Sequence, residues 1–390
     1  MMDRKIFNVN AILLTFLIIF VVLAVLQRGT ILIWSFSSKQ YLIQDFIPQL
    51  MGAKIIADGR GNELYDLSVQ EYYQKEVFEN SALKFLLPFR NLPFGALVYF
   101  PFLLLDVKTG FLLFVLISVV VLGILAGIFL RVFSRDYWAF LIMSLGYAPV
   151  FLTLSLGQFS IVLLLIISGI LYCVHSKRYF YAGMFSSLLL LKFNYLLLLP
   201  LFMTTLDISA IRKFLKGLVP SLLLLMLMNF MISGRALLGY PEFLMTTESE
   251  AYGTFSGHIF SSESLTGKFF GEGVGFYIKI PLYLAFLGVL YLLRNKADTL
   301  NLWMASIYMF LFLSPHIQIQ DLSITLLPML YLFKRRKESA NLFALVLIYV
   351  TTGIFWGKTV GLNPLLLLAA ASYFLLLSSK INKSAREGFI

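Results

Sequence analysis

The sequence predicts an all-α polytopic membrane protein with about 12 transmembrane helices, within a range of about 10 to 13. Two observations predict it. Of 390 residues, 59% are hydrophobic and only 13% charged, with a mean hydropathy of +0.87, whereas a soluble domain carries roughly 25% charged residues. Apolar stretches of about the length that crosses a bilayer also recur along nearly the whole chain.

The elements follow in order. Met1-Met2-Asp3-Arg4-Lys5 and the apolar run Ala11–Leu26 resemble a signal peptide, but no small-residue cleavage site follows, so this reads as an uncleaved first span. Further apolar segments lie near 109–130, 138–156, 158–175, 179–191, 194–206, 217–233, 275–293, 301–314, 318–333, 341–357 and 364–380, with the first near 7–27. The pair 179–191 and 194–206 also reads as one long helix broken at Lys192-Phe193-Asn194. Leu92–Leu105 is apolar but short and contains Pro93 and Pro101, which suits a re-entrant or interfacial helix.

Charge orients these segments. With both termini in the cytoplasm, the inner side holds 18 of the 31 Lys and Arg but only 6 of the 20 acids. The inner loops then include Lys177-Arg178, Arg212-Lys213 and Lys334-Arg335-Arg336-Lys337, as the positive-inside rule requires. That rule also accounts for the net charge of +11 without invoking nucleic acid. Residues 1–390 then form a single integral membrane domain of a cell membrane. It has two long extracytoplasmic intervals, 28–108 and 234–274. The first shows amphipathic spacing at Phe46, Leu50 and Lys54-Ile55 and a stop at Gly59/Gly61. Ser68-Val69-Gln70-Glu71 reads as a capping box before a second helix. The second interval, rich in Ser and Gly from Ser256 to Gly275, is a candidate lid.

Several chemistries are excluded. One cysteine, Cys173 in an apolar segment, allows no disulfide framework, and three histidines with it make a zinc site a poor reading. The phosphate-binding motif GxxxxGK[ST], GxGxxG after a strand, and an Asp-x-Asp pair are all absent, so an activated substrate would arrive through the membrane.

Polar residues at the outer ends of spans remain: Gln158, Lys192, His316, Gln318, Gln320 and Asp321. Each has an ordinary explanation. Lys192 can snorkel to headgroups, Gln158 can bridge helices, Asp321 can start a helix, and His316 can sit at a capped end beside Pro315. All nonetheless fall on the side of the 28–108 interval, which holds seven acids before Pro93: Asp45, Asp58, Glu63, Asp66, Glu71, Glu76 and Glu79.

Asp45, Gly59 and Leu64-Tyr65-Asp66, then Tyr99-Phe100-Pro101, resemble in order the first-loop pattern of glycosyltransferase family 87. These are polyprenyl-phosphate-sugar-dependent mannosyltransferases and related enzymes of the C-type integral membrane superfamily. Leu156-Gly157-Gln158, Tyr181-Ala182-Gly183, Leu190-Leu191-Lys192 and Ser314-Pro315-His316 with Asp321 and Pro328 extend the likeness over residues 44 to 330. Phe193 stands where that family usually has proline, and Gln320 where it often has an aromatic.

The resemblance implies a GT-C-like fold and an inverting transfer of a mannose-like hexose. The sugar moves from a polyprenyl phosphate to a glycan or glycolipid hydroxyl on the extracytoplasmic face, a step in cell-envelope glycan assembly, with no metal or other cofactor. It implies Asp45 as general base, since a carboxylate must take the acceptor's proton. His316 would stabilise the departing phosphate or support the base, Lys192 and more weakly Arg90 would bind the phosphate, and Gln158, Asp321 and His258 would contact substrate. Asp45 could instead be a helix N-cap, while Asp58 and Asp66 look like turn and cap residues. The rival reading is a multi-pass transporter or lipid flippase. Against coupled transport, most charges gather at one face and the middles of spans are nearly empty.

Overall fold

The computed structural model describes residues 2–37, 45–77, 86–132, 137–252, 274–314, 317–335, 338–354, 368 and 370–375. Among them the architecture is helical throughout, without a sheet. Helix α1 spans Met2–Ser37. Helices α2 (Phe46–Ala57) and α3 (Leu67–Val77) form the first polar interval, and α4 (Pro93–Ala96) continues into a 3-10 helix, Leu97–Leu104. The apolar series follows as α5 (Val107–Val132), α6 (Tyr137–Gly146), α7 (Ala148–Leu156) and α8 (Ser160–His175). Next come α9 (Tyr179–Ser187), a 3-10 stretch Leu188–Leu197, α10 (Leu198–Met203) and α11 (Ile208–Ser233). After α12 (Tyr240–Thr247) come α13 (Val274–Leu293), α14 (Thr299–Leu313), a 3-10 helix Ile319–Thr325, α15 (Leu326–Lys334) and α16 (Ser339–Ile354).

Among the described residues, four stretches are long and apolar enough, by length and composition, to cross a membrane: Val9–Ile31, Val107–Leu125, Tyr179–Met203 and Ile208–Thr247. Other expected segments are shorter apolar helices such as Ser160–His175, Thr299–Leu313 and Ser339–Thr352, while most of the expected span 364–380 and of the candidate lid lies outside the described residues. The first stretch is only 17% buried and the last 22%, against 61% for Tyr179–Met203. Helices α1 and α11 therefore present leucine, isoleucine and methionine outward, as a lipid-facing rim does, while 179–203 runs through the core.

The broken segment has a definite course. Lys192 has φ −137° and ψ 96°, which interrupts the helical backbone. Tyr179, at the start, and Asp207, just past the end, are electrostatic neighbours. Downstream of the break, Asn194 bonds Ser314 at the end of α14, and Thr205 accepts from Trp303 near its start. The segment thus leaves one end of the molecule, turns at Lys192 and returns antiparallel to α14. Arg212 and Lys213 consequently lie at the same end as Lys177 and Arg178.

Two close crossings fix this core. A Cβ on Gly183 would collide with the Phe214 carbonyl, and one on Gly217 with that of Phe180, so α9 and α11 approach backbone to backbone. The Phe202 and Trp303 rings stack at 4.0 Å, joining α10 to α14.

The first polar interval folds largely as its sequence indicates. Helix α2 stops at Ala57, with Gly59 at φ +77° closing the turn. One expectation is corrected. Helix α3 starts at Leu67 rather than after Ser68, and Asp66 is the residue at its head. Asp66 accepts from the Ser68 amide at 2.8 Å and the Ser68 hydroxyl at 2.6 Å. A carboxylate one residue upstream of the helix reaches the free first-turn amides that a serine already inside the turn cannot.

Candidate active site

The site is built where α2, the ends of α7 and α14, and the turn at Lys192 meet. Asp45 occupies the N-cap position of α2, yet its side chain makes no capping bond. Instead it accepts a hydrogen bond from the Gln158 side-chain amide. Two local features enforce this. Phe46, fully buried, locks the start of α2 among the rings of Tyr99, Phe102, Phe111 and Phe114. Gly157 ends α7 at φ +71°, and a Cβ there would lie 2.6 Å from that of Phe46. Only glycine combines that backbone with that approach, and it delivers Gln158 to Asp45. Its carbonyl accepts from Tyr99 at 2.9 Å, giving the Tyr99-Phe100-Pro101 element a structural task.

Lys192 and Asp321 form an ion pair at 2.5 Å, with Asp321 wholly buried. Asp321 also accepts from Tyr195 at 3.2 Å and from the Gln318 amide at 3.1 Å. The last bond belongs to a reciprocal cap in which the Gln318 side chain answers the Asp321 backbone. Asp321 thus serves both as the helix-start carboxylate the sequence suggests and as the counter-ion of Lys192.

Arg90 reaches the carbonyls of Thr247 and Tyr252, the second at 2.8 Å, while its own carbonyl accepts from Tyr240 at 2.8 Å. Tyr65 packs on Tyr240 and Phe243 with ring centroids 5.0 and 5.1 Å apart. The two long polar intervals therefore meet, and the start of the second, through Tyr252, is helical rather than loose. The buried Nε of Arg90 has no hydrogen-bond acceptor among the described residues.

Arg90, Lys192 and Asp321 all act electrostatically on Asp45. Burial is the largest influence and pushes the Asp45 carboxyl above its ordinary value. The Gln158 bond and the Arg90 and Lys192 charges oppose this, and Asp321 adds to it. Four of the sequence candidates thus converge around Asp45: Gln158, Arg90, Lys192 and Asp321. His316 and His258 lie outside the described residues. Three further acids serve the interval's own fold. Asp58 accepts from Tyr73 at 2.8 Å, Glu63 pairs with Arg60 at 2.5 Å, and Glu71 with Lys75 at 2.5 Å. Tyr195 and Asn194 were not singled out from sequence. Their signal was present in the polar run Lys192-Phe193-Asn194-Tyr195, interrupting an otherwise apolar segment.

Repeated apolar helices, and a carboxylate held beside two cations at one end of them, define a multi-pass membrane protein with an enclosed polar site. The family model for glycosyltransferase family 87 matches residues 89–315. The chain belongs to that family and is a membrane glycosyltransferase. The matched residues include Arg90, Gln158 and Lys192; Asp45 and Asp321 lie outside them and join the site through the fold. No match was found among curated proteins or among solved structures.

Proposed function

We propose that this protein transfers a mannose-like hexose from a polyprenyl-phosphate donor to a hydroxyl of a glycan or glycolipid acceptor, with inversion, on the extracytoplasmic face of a cell membrane. The single observation that carries the reading is Asp45. A helix-start carboxylate gives up its cap, takes a glutamine amide instead, and sits within electrostatic reach of an arginine and a lysine.

In this scheme the acceptor hydroxyl loses its proton to Asp45 as its oxygen bonds the anomeric carbon. The bond from that carbon to the phosphate oxygen breaks, and the electron pair leaves with the phosphate. Gln158 holds the carboxylate oriented. Lys192 and Arg90, joined by His316, stabilise the charge developing on the leaving phosphate. Asp321 and Tyr195 keep the Lys192 ammonium in place until the donor arrives, and His258 contacts the acceptor. The chain forms a single membrane domain of about 12 spans with both termini cytoplasmic, and the isoprenoid tail lies in an apolar groove between helices.

The deciding experiment is transfer from polyprenyl-phosphate sugars in membranes carrying the protein or its Asp45→Asn form. Near-complete loss at normal expression is expected in the variant. Failure of the unaltered protein to consume any lipid-linked sugar would overturn the reading.

A further inference from the structure

The first helix carries a charge that no described residue neutralises. Arg28 lies on α1, whose membrane stretch is mostly lipid-exposed, yet Arg28 is itself only 4% exposed. An arginine near the end of a rim helix can extend to the headgroups; this one faces inward. Its Nε and Nη1 have no acceptor among the described residues. The titratable groups acting on it are Tyr349 of α16 and Tyr147, between α6 and α7, and neither is a carboxylate.

The surroundings are polar but committed elsewhere. Tyr349 donates to the Met143 carbonyl at 3.0 Å, and Tyr147 shares a hydrogen bond of 2.5 Å with Thr325. The two rings lie 5.4 Å apart. Tyr308 of α14, an electrostatic neighbour of Tyr147, buries a hydroxyl that has no partner among the described residues. Arg28 is thus a full positive charge, buried with two nitrogens unbonded, and no described carboxylate acts on it. A buried charge of this kind is strongly unfavourable unless an anion joins it.

We propose that Arg28 forms a second anion subsite that takes the phosphate of a phosphate-bearing lipid. Phosphate suits a cluster of donors without acceptors. The lipid follows from position, because α1 borders the bilayer along most of its length and an apolar tail can lie beside it. The subsite is separate from Lys192, which already has its carboxylate. Thr325, the hydrogen-bond partner of Tyr147, and Asp321, the counter-ion of Lys192, stand four residues apart on the same 3-10 helix. The reading of the protein as a lipid-phosphate-sugar transferase guides only the choice of probe.

The test measures binding of farnesyl phosphate, farnesol and inorganic phosphate to the full-length protein in detergent by ligand-dependent thermal shift. Farnesyl phosphate is expected to stabilise the protein, with farnesol and inorganic phosphate ineffective at equal concentration. In a Lys192→Met, Asp321→Leu background, which removes the lysine of the catalytic phosphate site, Arg28→Met should weaken farnesyl phosphate binding at least tenfold and Arg28→Lys less. Without ligand, Arg28→Met should melt no lower than the unaltered protein, because it removes an unpaired buried charge. A structural arginine would give the opposite result and overturn the proposal. Unchanged farnesyl phosphate binding in Arg28→Met would overturn it as well, and equal stabilisation by inorganic phosphate would overturn the lipid assignment. Asp45→Asn is expected to bind farnesyl phosphate normally. If that variant kept transfer activity, the general-base reading would fail while the Arg28 subsite stood. Lost transfer together with Arg28-independent binding would leave the general base standing and remove the subsite.

Discussion

At the level of single residues, seven acids share one interval, and hydrogen bonding separates them. Asp66 caps α3, and Asp58, Glu63 and Glu71 have partners within the interval, whereas Asp45 is drawn across to Gln158. Asp66→Ala should therefore cost about 0.5–2 kcal/mol of stability, read by thermal melting, and leave transfer intact. Asp45→Asn should lower kcat by about 10²–10⁴-fold with little change in melting. The pH profile gives a finer check. Only the ionised carboxylate accepts a proton, and burial holds Asp45 above its ordinary value. Activity should accordingly fall on acidification at a pH above the aspartate reference of about 3.9. Arg90 pulls the other way, so Arg90→Leu should move that acid limb of kcat/KM to still higher pH. The Lys192–Asp321 pair predicts a different pattern. Lys192→Met strands the buried Asp321 carboxylate and should cost about 3–5 kcal/mol, while replacing both partners with apolar residues should cost less stability and still lose activity.

At the level of elements, the breaks matter more than the helices. Three of them place the site: Gly157 at the end of α7, the non-helical Lys192, and the short 3-10 helix carrying Asp321. The sequence shows the first two plainly, as a Gly-Gln pair and a lysine inside leucines, and it locates most of the described apolar segments closely, although α1 runs on to Ser37 and α11 begins as early as Ile208. The sequence implies the reversal at Lys192 by giving 179–191 and 194–206 as two spans, but it does not exclude one long helix broken there, because composition is the same for both. Nor does it pair Lys192 with Asp321, a contact across 129 residues that depends on α10 lying against α14. Hydropathy also gives Arg28 no distinction from an ordinary span-ending arginine, since inward and outward facing are decided by neighbouring helices. The crossing of α9 and α11 offers a test. Gly183→Ala or Gly217→Ala forces a methyl against backbone carbonyl and should cost about 1–3 kcal/mol or more, seen as a lowered Tm in detergent.

For the whole molecule, the return at Lys192 fixes which loops share a side. Cys173 is the sole cysteine and is buried, so a Cys173→Ser background supports single-cysteine labelling. Cysteines placed at Lys177 and at Arg212 should react with an impermeant reagent from the same side of sealed vesicles, and one at Glu63 from the other. The return also bears on membrane thickness. Residues 179–191, even fully helical, would rise only about 20 Å, against a hydrocarbon core of about 30 Å. On the proposed scheme the turn would then sit below the surface, and the donor's lipid phosphate would have to sink to meet Lys192. Bilayers of shorter acyl chains reduce that descent, so transfer in reconstituted vesicles should quicken as the lipid chains are shortened toward the length of the hairpin. Hydrophobic mismatch would then tune the catalytic rate as well as the fit of the helices.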